Sequence, residues 1–197
     1  MSEFAETETT LDDAVAPAVP PSAPVAAPFY VVGTRKFTLL FVFTFGLYAT
    51  YWMYKQWACY RDSLAVDGVQ SRPWPVARAI FSIFYFHALF AKVRRHGAPL
   101  LDDWEYRTHA TILALLVLAE RVLDKLSGKE YSDWDTAGLI LMLPLWYFYF
   151  KAQQLINQAC GDPAGTQNAR LTGANYAWIA GAFVFLAGVV ALNIYRD

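Results

Sequence analysis

The run FTLLFVFTFGLYATYWMYKQW, residues 37 to 57, governs how the rest of the chain reads. Its first 18 residues, Phe37 to Tyr54, carry no charge. As a single helix the run would measure about 30 Å, the thickness of a bilayer's hydrocarbon core. Arg35 and Lys36 stand at one end, and Tyr48, Tyr51, Trp52, Tyr54, Lys55 and Trp57 crowd the other. That order suits an aromatic belt with snorkelling cations at a membrane–water boundary. The run therefore reads as a membrane span.

Composition points the same way. Of 197 residues 56% are hydrophobic, with a mean hydropathy of +0.26. This is too apolar for an ordinary water-borne domain and suits a small multi-pass protein of one domain. A net charge of −1 supplies no basic field for nucleic acid. No CxxC pair, GxGxxG, P-loop or HExxH is present, and Cys59 and Cys160 are too few for a disulfide framework. Both read as small buried hydrophobes.

Outward from the first run, residues 1–33 read as a disordered tail. Glu3, Glu6, Glu8, Asp12 and Asp13 are followed by APAVPPSAPVAAP, too proline-rich and too poor in large side chains for a core. Its acidic start is unlike the basic start of a signal peptide. Residues 34–197 then form one helical domain. Spans are expected near 37–57, 108–126, 136–152 and 175–195. Residues 79–91 are charge-free but short for a span. Arg78, Ser82, Tyr85, Lys92 and His96 draw a polar stripe beside them, so 78–93 reads as an amphipathic helix lying in the interface; a tilted span or re-entrant helix is the alternative. Asp102 with Glu105 reads as a capping box before the next helix. Pro144 interrupts the 136–152 helix. The expected fold class is an all-α polytopic membrane helix bundle, about four transmembrane helices plus one amphipathic interfacial helix.

Seven Lys and Arg in 58–107 against one in 127–135 place 94–107 in the cytoplasm, and the acidic loop and C-terminus outside. The last helix aligns Ala177, Gly181, Gly188 and Ala191 on one stripe, a surface suited to close helix packing in lipid.

Two stretches carry a resemblance. Gly46-Leu47-Tyr48 with Tyr51-Trp52-Met53-Tyr54-Lys55 is similar to the G-[IL]-Y-x-x-Y-W-x-Y-K run of uncharacterised bacterial multi-pass membrane proteins grouped as a domain of unknown function. The run NARLTGANYAW, residues 168 to 178, resembles the entry to their last helix. The resemblance implies the bacterial inner (plasma) membrane as location. It implies no activity, ligand or catalytic residue.

Three constellations could carry chemistry. His87, His96 and His109 with Asp102 and Asp103 are residue types that hold zinc or iron. No pair of these histidines sits four apart, however, so ordinary interfacial roles are expected, with no metal and no cofactor. Glu120 and Arg121, beside Asp124 and Lys125, are ionisable groups near a span; a helix end with a snorkelling arginine accounts for them equally. Lys92, Arg94 and Arg95 form a basic cluster suited to anionic lipid headgroups. The leading expectation is a non-enzymatic accessory or scaffold protein of that membrane, with the lipid bilayer, another membrane protein or a second copy as partner. A small transporter or channel, motivated by Pro144 with Glu120 and Arg121, is the first alternative, and a membrane-interface enzyme the second.

Overall fold

The run at 37–57 is not one helix. Phe45 and Gly46 take the left-handed backbone region, with φ of +51° and +80°, where only glycine is free of steric cost. The Gly46 N–H returns to the Phe41 carbonyl at 2.9 Å, which closes the first helix. Thr44 serves both sides of the break: its hydroxyl donates to the Leu40 carbonyl at 2.7 Å and accepts the Tyr48 N–H at 3.0 Å. The result is α1 (Thr34–Phe43), a break, and α2 (Tyr48–Val66).

The computed structural model describes residues 27–68, 73–126 and 133–194. The acidic and Pro/Ala-rich tail through residue 26, the acidic loop at 127–132 and residues 195–197 lie outside the described residues. The remaining helices are α3 (Pro75–Ile80), α4 (Ser82–His96), α5 (Tyr106–Leu126), α6 (Asp133–Ala159) and α7 (Gly173–Ile194), with a single 3-10 turn at Thr166–Asn168. Helix α5 lies between α4 and α6, α6 reaches α1, and α1 reaches α7.

The all-helical expectation stands, and the polytopic one is overturned. Among the described residues, no helix is long and apolar enough to cross a membrane. Helix α1 has only 10 residues, about 15 Å. Helix α2 continues from the apolar run into Lys55, Gln56, Arg61 and Asp62, and α5 carries Arg107, Glu120, Arg121, Asp124 and Lys125. The readings built on spans fall with them: the inner-membrane accessory or scaffold protein, the transporter or channel, the multi-pass location and the sidedness of its loops. The interfacial helix at 78–93 is corrected as well. It is divided at Phe81 into α3 and α4, and α4 buries Phe86, Leu89, Phe90 and Val93 completely in the core.

The expected aromatic belt is mostly core. Tyr48, Trp52 and Trp57 are buried. Tyr149 on α6, also buried, joins rings from three other helices. Its ring meets Trp52 of α2 at 5.4 Å, Phe41 of α1 at 5.7 Å and Phe86 of α4 at 5.9 Å. Each such ring pair contributes about 0.5–1.5 kcal/mol beyond area burial. Asp102 does not cap α5, which begins at Tyr106; its carboxylate faces Arg94 at 3.5 Å instead.

Four side-chain amides hold the extended segment before α1. Gln56 accepts the Tyr30 N–H at 3.0 Å and donates to the Tyr30 carbonyl at 3.2 Å. Asn157 accepts the Val32 N–H at 3.3 Å and donates to the Val32 carbonyl at 2.9 Å. Asn168 donates to the Val31 carbonyl at 3.1 Å. Gln153 ties the first two together. Its oxygen accepts from Trp52 Nε1 and from Gln56 Nε2, and its nitrogen donates to Asn157 Oδ1 and to the Tyr30 carbonyl. The amides do here what a neighbouring strand would do, so these buried backbone groups are satisfied.

The loop after α6 is pressed onto the same segment. Gly165 has φ +66°, and a Cβ there would lie 2.5 Å from both the carbonyl carbon and oxygen of Val32. Gly165→Ala is therefore expected to destabilise the fold by about 3 kcal/mol, from backbone strain plus a clash that backbone cannot relieve. Thermal unfolding followed by near-UV circular dichroism checks this, and an unchanged midpoint would contradict the contact.

Candidate functional site

An apolar groove opens between α5 and α6. On α5, Leu115, Leu118, Ala119, Val122 and Leu126 recur three or four residues apart and so share one stripe. On α6, Ala137, Ile140, Leu141 and Pro144 do the same. Together with Leu123 they line a groove of about 710 Å³, and among the described residues its lining side chains are all apolar. The proline ring belongs to this wall, and its missing N–H means residue 144 cannot donate to the carbonyl of Ile140. Of the lining residues, Leu115, Leu118, Val122, Leu126 and Ile140 are exposed.

Charge lies on the flank of this face. Arg121 and Lys125 are three residues past Leu118 and Val122, which places them on the side of the α5 stripe. Both are exposed. Arg121 stands 3.6 Å from Glu120 and 3.9 Å from Asp124, exposed pairs worth little in water. Burial pushes the Glu120 carboxyl above its ordinary value, Arg121 opposes that shift and Asp124 adds to it.

A second apolar groove, about 600 Å³, runs between Leu47 and α7, where Ala177, Trp178, Gly181 and Phe185 line it. Among the described residues, nothing outside the helix's own backbone comes within 4 Å of where a Cβ would sit at Gly181 or Gly188. Ala177 is exposed and Ala191 half-buried. The small-residue stripe thus borders open space around its glycines.

The basic cluster is partly engaged within the chain. Lys92 donates to the Tyr60 hydroxyl at 3.0 Å and lies over that ring. Arg94 donates to the Asp102 carbonyl at 3.0 Å, and Arg95 is exposed. The histidines are dispersed. His87 pairs with Thr111 at 3.0 Å, His96 stands edge-on to Phe29 at 5.9 Å, and half-buried His109 is bonded to the Phe148 carbonyl. Among the described residues no three His, Cys, Asp or Glu side chains come together as metal ligands. The membrane-interface enzyme, which drew on these histidines with Asp102 and Asp103, falls with that dispersal. Burial raises both free thiols, Cys160 to about 11, which leaves them protonated and weakly nucleophilic.

The buried amides went unforeseen, although their signal is in the sequence: Gln153 and Asn157 stand four apart in a helix that is otherwise apolar at its core face. No protein-family model, curated protein or solved structure matches the chain.

Proposed function

We propose that this chain docks on a lipid layer through the α5–α6 face, lying along the layer rather than passing through it. The observation that carries this is the wholly apolar groove with its exposed leucine and isoleucine rim, flanked by Arg121 and Lys125. An amphipathic helix pair of this kind buries its stripe at the headgroup–acyl boundary, and long cationic side chains on its flank reach anionic headgroups. Acyl tails fill an irregular groove because they are fluid, and Lys125 adds about 1 kcal/mol beside an anionic leaflet, Arg121 adding less because Glu120 and Asp124 pair with it. The reading assigns the chain no chemical step.

Flotation of the full chain with vesicles tests it. Phosphatidylcholine vesicles should carry part of the protein upward, and vesicles containing phosphatidylglycerol should carry more, with the added fraction lost at high salt. Protein that stays at the bottom of both gradients as a defined dimer would overturn the reading in favour of a second copy on this face.

A further inference from the structure

The three rings around His109 belong to three different elements. Phe90 of α4 stands 5.2 Å away, Trp104 of the turn at 97–105 stands 5.7 Å away, and Phe148 of α6 stands 5.2 Å away, all edge to face. Both ring nitrogens are used. Nε2 lies 2.9 Å from the Phe148 carbonyl, which can only accept, so Nε2 carries the proton. Nδ1 lies 3.3 Å from Trp104 Nε1, which can only donate, so Nδ1 is the acceptor. The two bonds together specify the neutral imidazole and one of its tautomers.

A proton added to Nδ1 would set two N–H donors against each other. The Phe148 bond survives protonation; the Trp104 bond does not. We infer that His109 is a proton-sensitive latch: neutral, it holds the 97–105 turn against α5 and α6 through Trp104, and protonated, it releases that turn. This goes beyond the lipid-docking reading and does not rest on it.

Among the described residues, no charged side chain is bonded to the His109 ring. On α4 the residue facing it is Phe90, while His87 is turned to Thr111 and Arg94 to the Asp102 carbonyl. From the turn it is Trp104, with Asp103 and Glu105 exposed. On α5 the Arg107 guanidinium is bonded to Tyr106 at 3.1 Å. On α6 it is Phe148, since the Tyr149 ring faces Trp52 and Phe86. Burial accordingly holds His109 below its ordinary value of 6.5, the carbonyl bond offsetting part of that. The latch is therefore complete above pH 6.5, and the stability it contributes is lost as pH falls through the lowered value.

The test follows the indole N–H signals of the full chain in mild detergent by nitrogen NMR, with Trp104 identified by its loss in Trp104→Phe. In the wild type the Trp104 signal should titrate with a midpoint below 6.5. In His109→Gln, whose side chain still accepts but takes no proton, the same signal should be independent of pH. In Trp104→Phe the His109 ring, followed by its own carbon signals, should titrate at a higher pH than in the wild type, because proton uptake no longer costs the indole bond. A Trp104 signal flat from about pH 8, above the range in which histidine titrates, down to the pH at which the chain unfolds would overturn the latch. So would an equal titration in His109→Gln, or an unmoved His109 midpoint in Trp104→Phe.

Discussion

Gln153→Leu should lower the unfolding free energy by about 3 kcal/mol, the cost of one orphaned buried donor and several broken amide bonds. Gln153 is wholly buried, and leucine fills its volume while supplying neither donor nor acceptor. Trp52 Nε1, also buried, then loses its bond, because among the described residues Gln153 Oε1 is the acceptor it reaches. The Tyr30 carbonyl and Asn157 Oδ1 each lose one of two donors and keep the other. The loss should therefore depend on the indole. Trp52→Phe combined with Gln153→Leu should cost less than the two single changes added together. Chemical unfolding of the full chain, followed by near-UV circular dichroism, measures all three. Strict additivity would show that the amide and the indole do not share this bond.

The second large effect concerns the α5–α6 face. Leu118→Glu with Ile140→Glu should reduce vesicle affinity by about 100-fold or more. Each apolar side chain withdrawn from water contributes roughly 1.5 kcal/mol or more, and each 1.4 kcal/mol is tenfold in binding. Both residues are exposed, Leu118 at 48% and Ile140 at 64%, so the fold should tolerate the change. Leu100→Glu is the matched control, since Leu100 is 76% exposed on the turn between α4 and α5, away from the groove. Flotation of the double variant at the wild-type level would sink the proposed function; equal losses in both variants would show that the face is not specific.

The sequence by itself determined what depends on neighbours along the chain. Charge-free apolar runs marked α5, α6 and α7, and the polar stripe from Arg78 to His96 marked α4, because residues three and four apart share a face whatever lies beyond it. Pro144 was visible inside its helix, and Glu120 and Arg121 near the end of theirs. The apolar stripes that form the groove could be read in the same way.

Only the tertiary structure decided what those stripes face. An apolar helix looks the same whether lipid or another helix covers it, so the aromatic run at 37–57 read as a span. In the folded chain Thr44, Phe45 and Gly46 turn it back, and Trp52 and Trp57 enter the core that also holds Tyr149. Length in a charge-free run measures a helix only if the backbone stays helical, and a single Phe-Gly pair in the left-handed region ends it. The role of the buried amides was hidden for a related reason. Gln153 and Tyr30 lie 123 residues apart, and a buried polar side chain becomes intelligible only when its partner is in place.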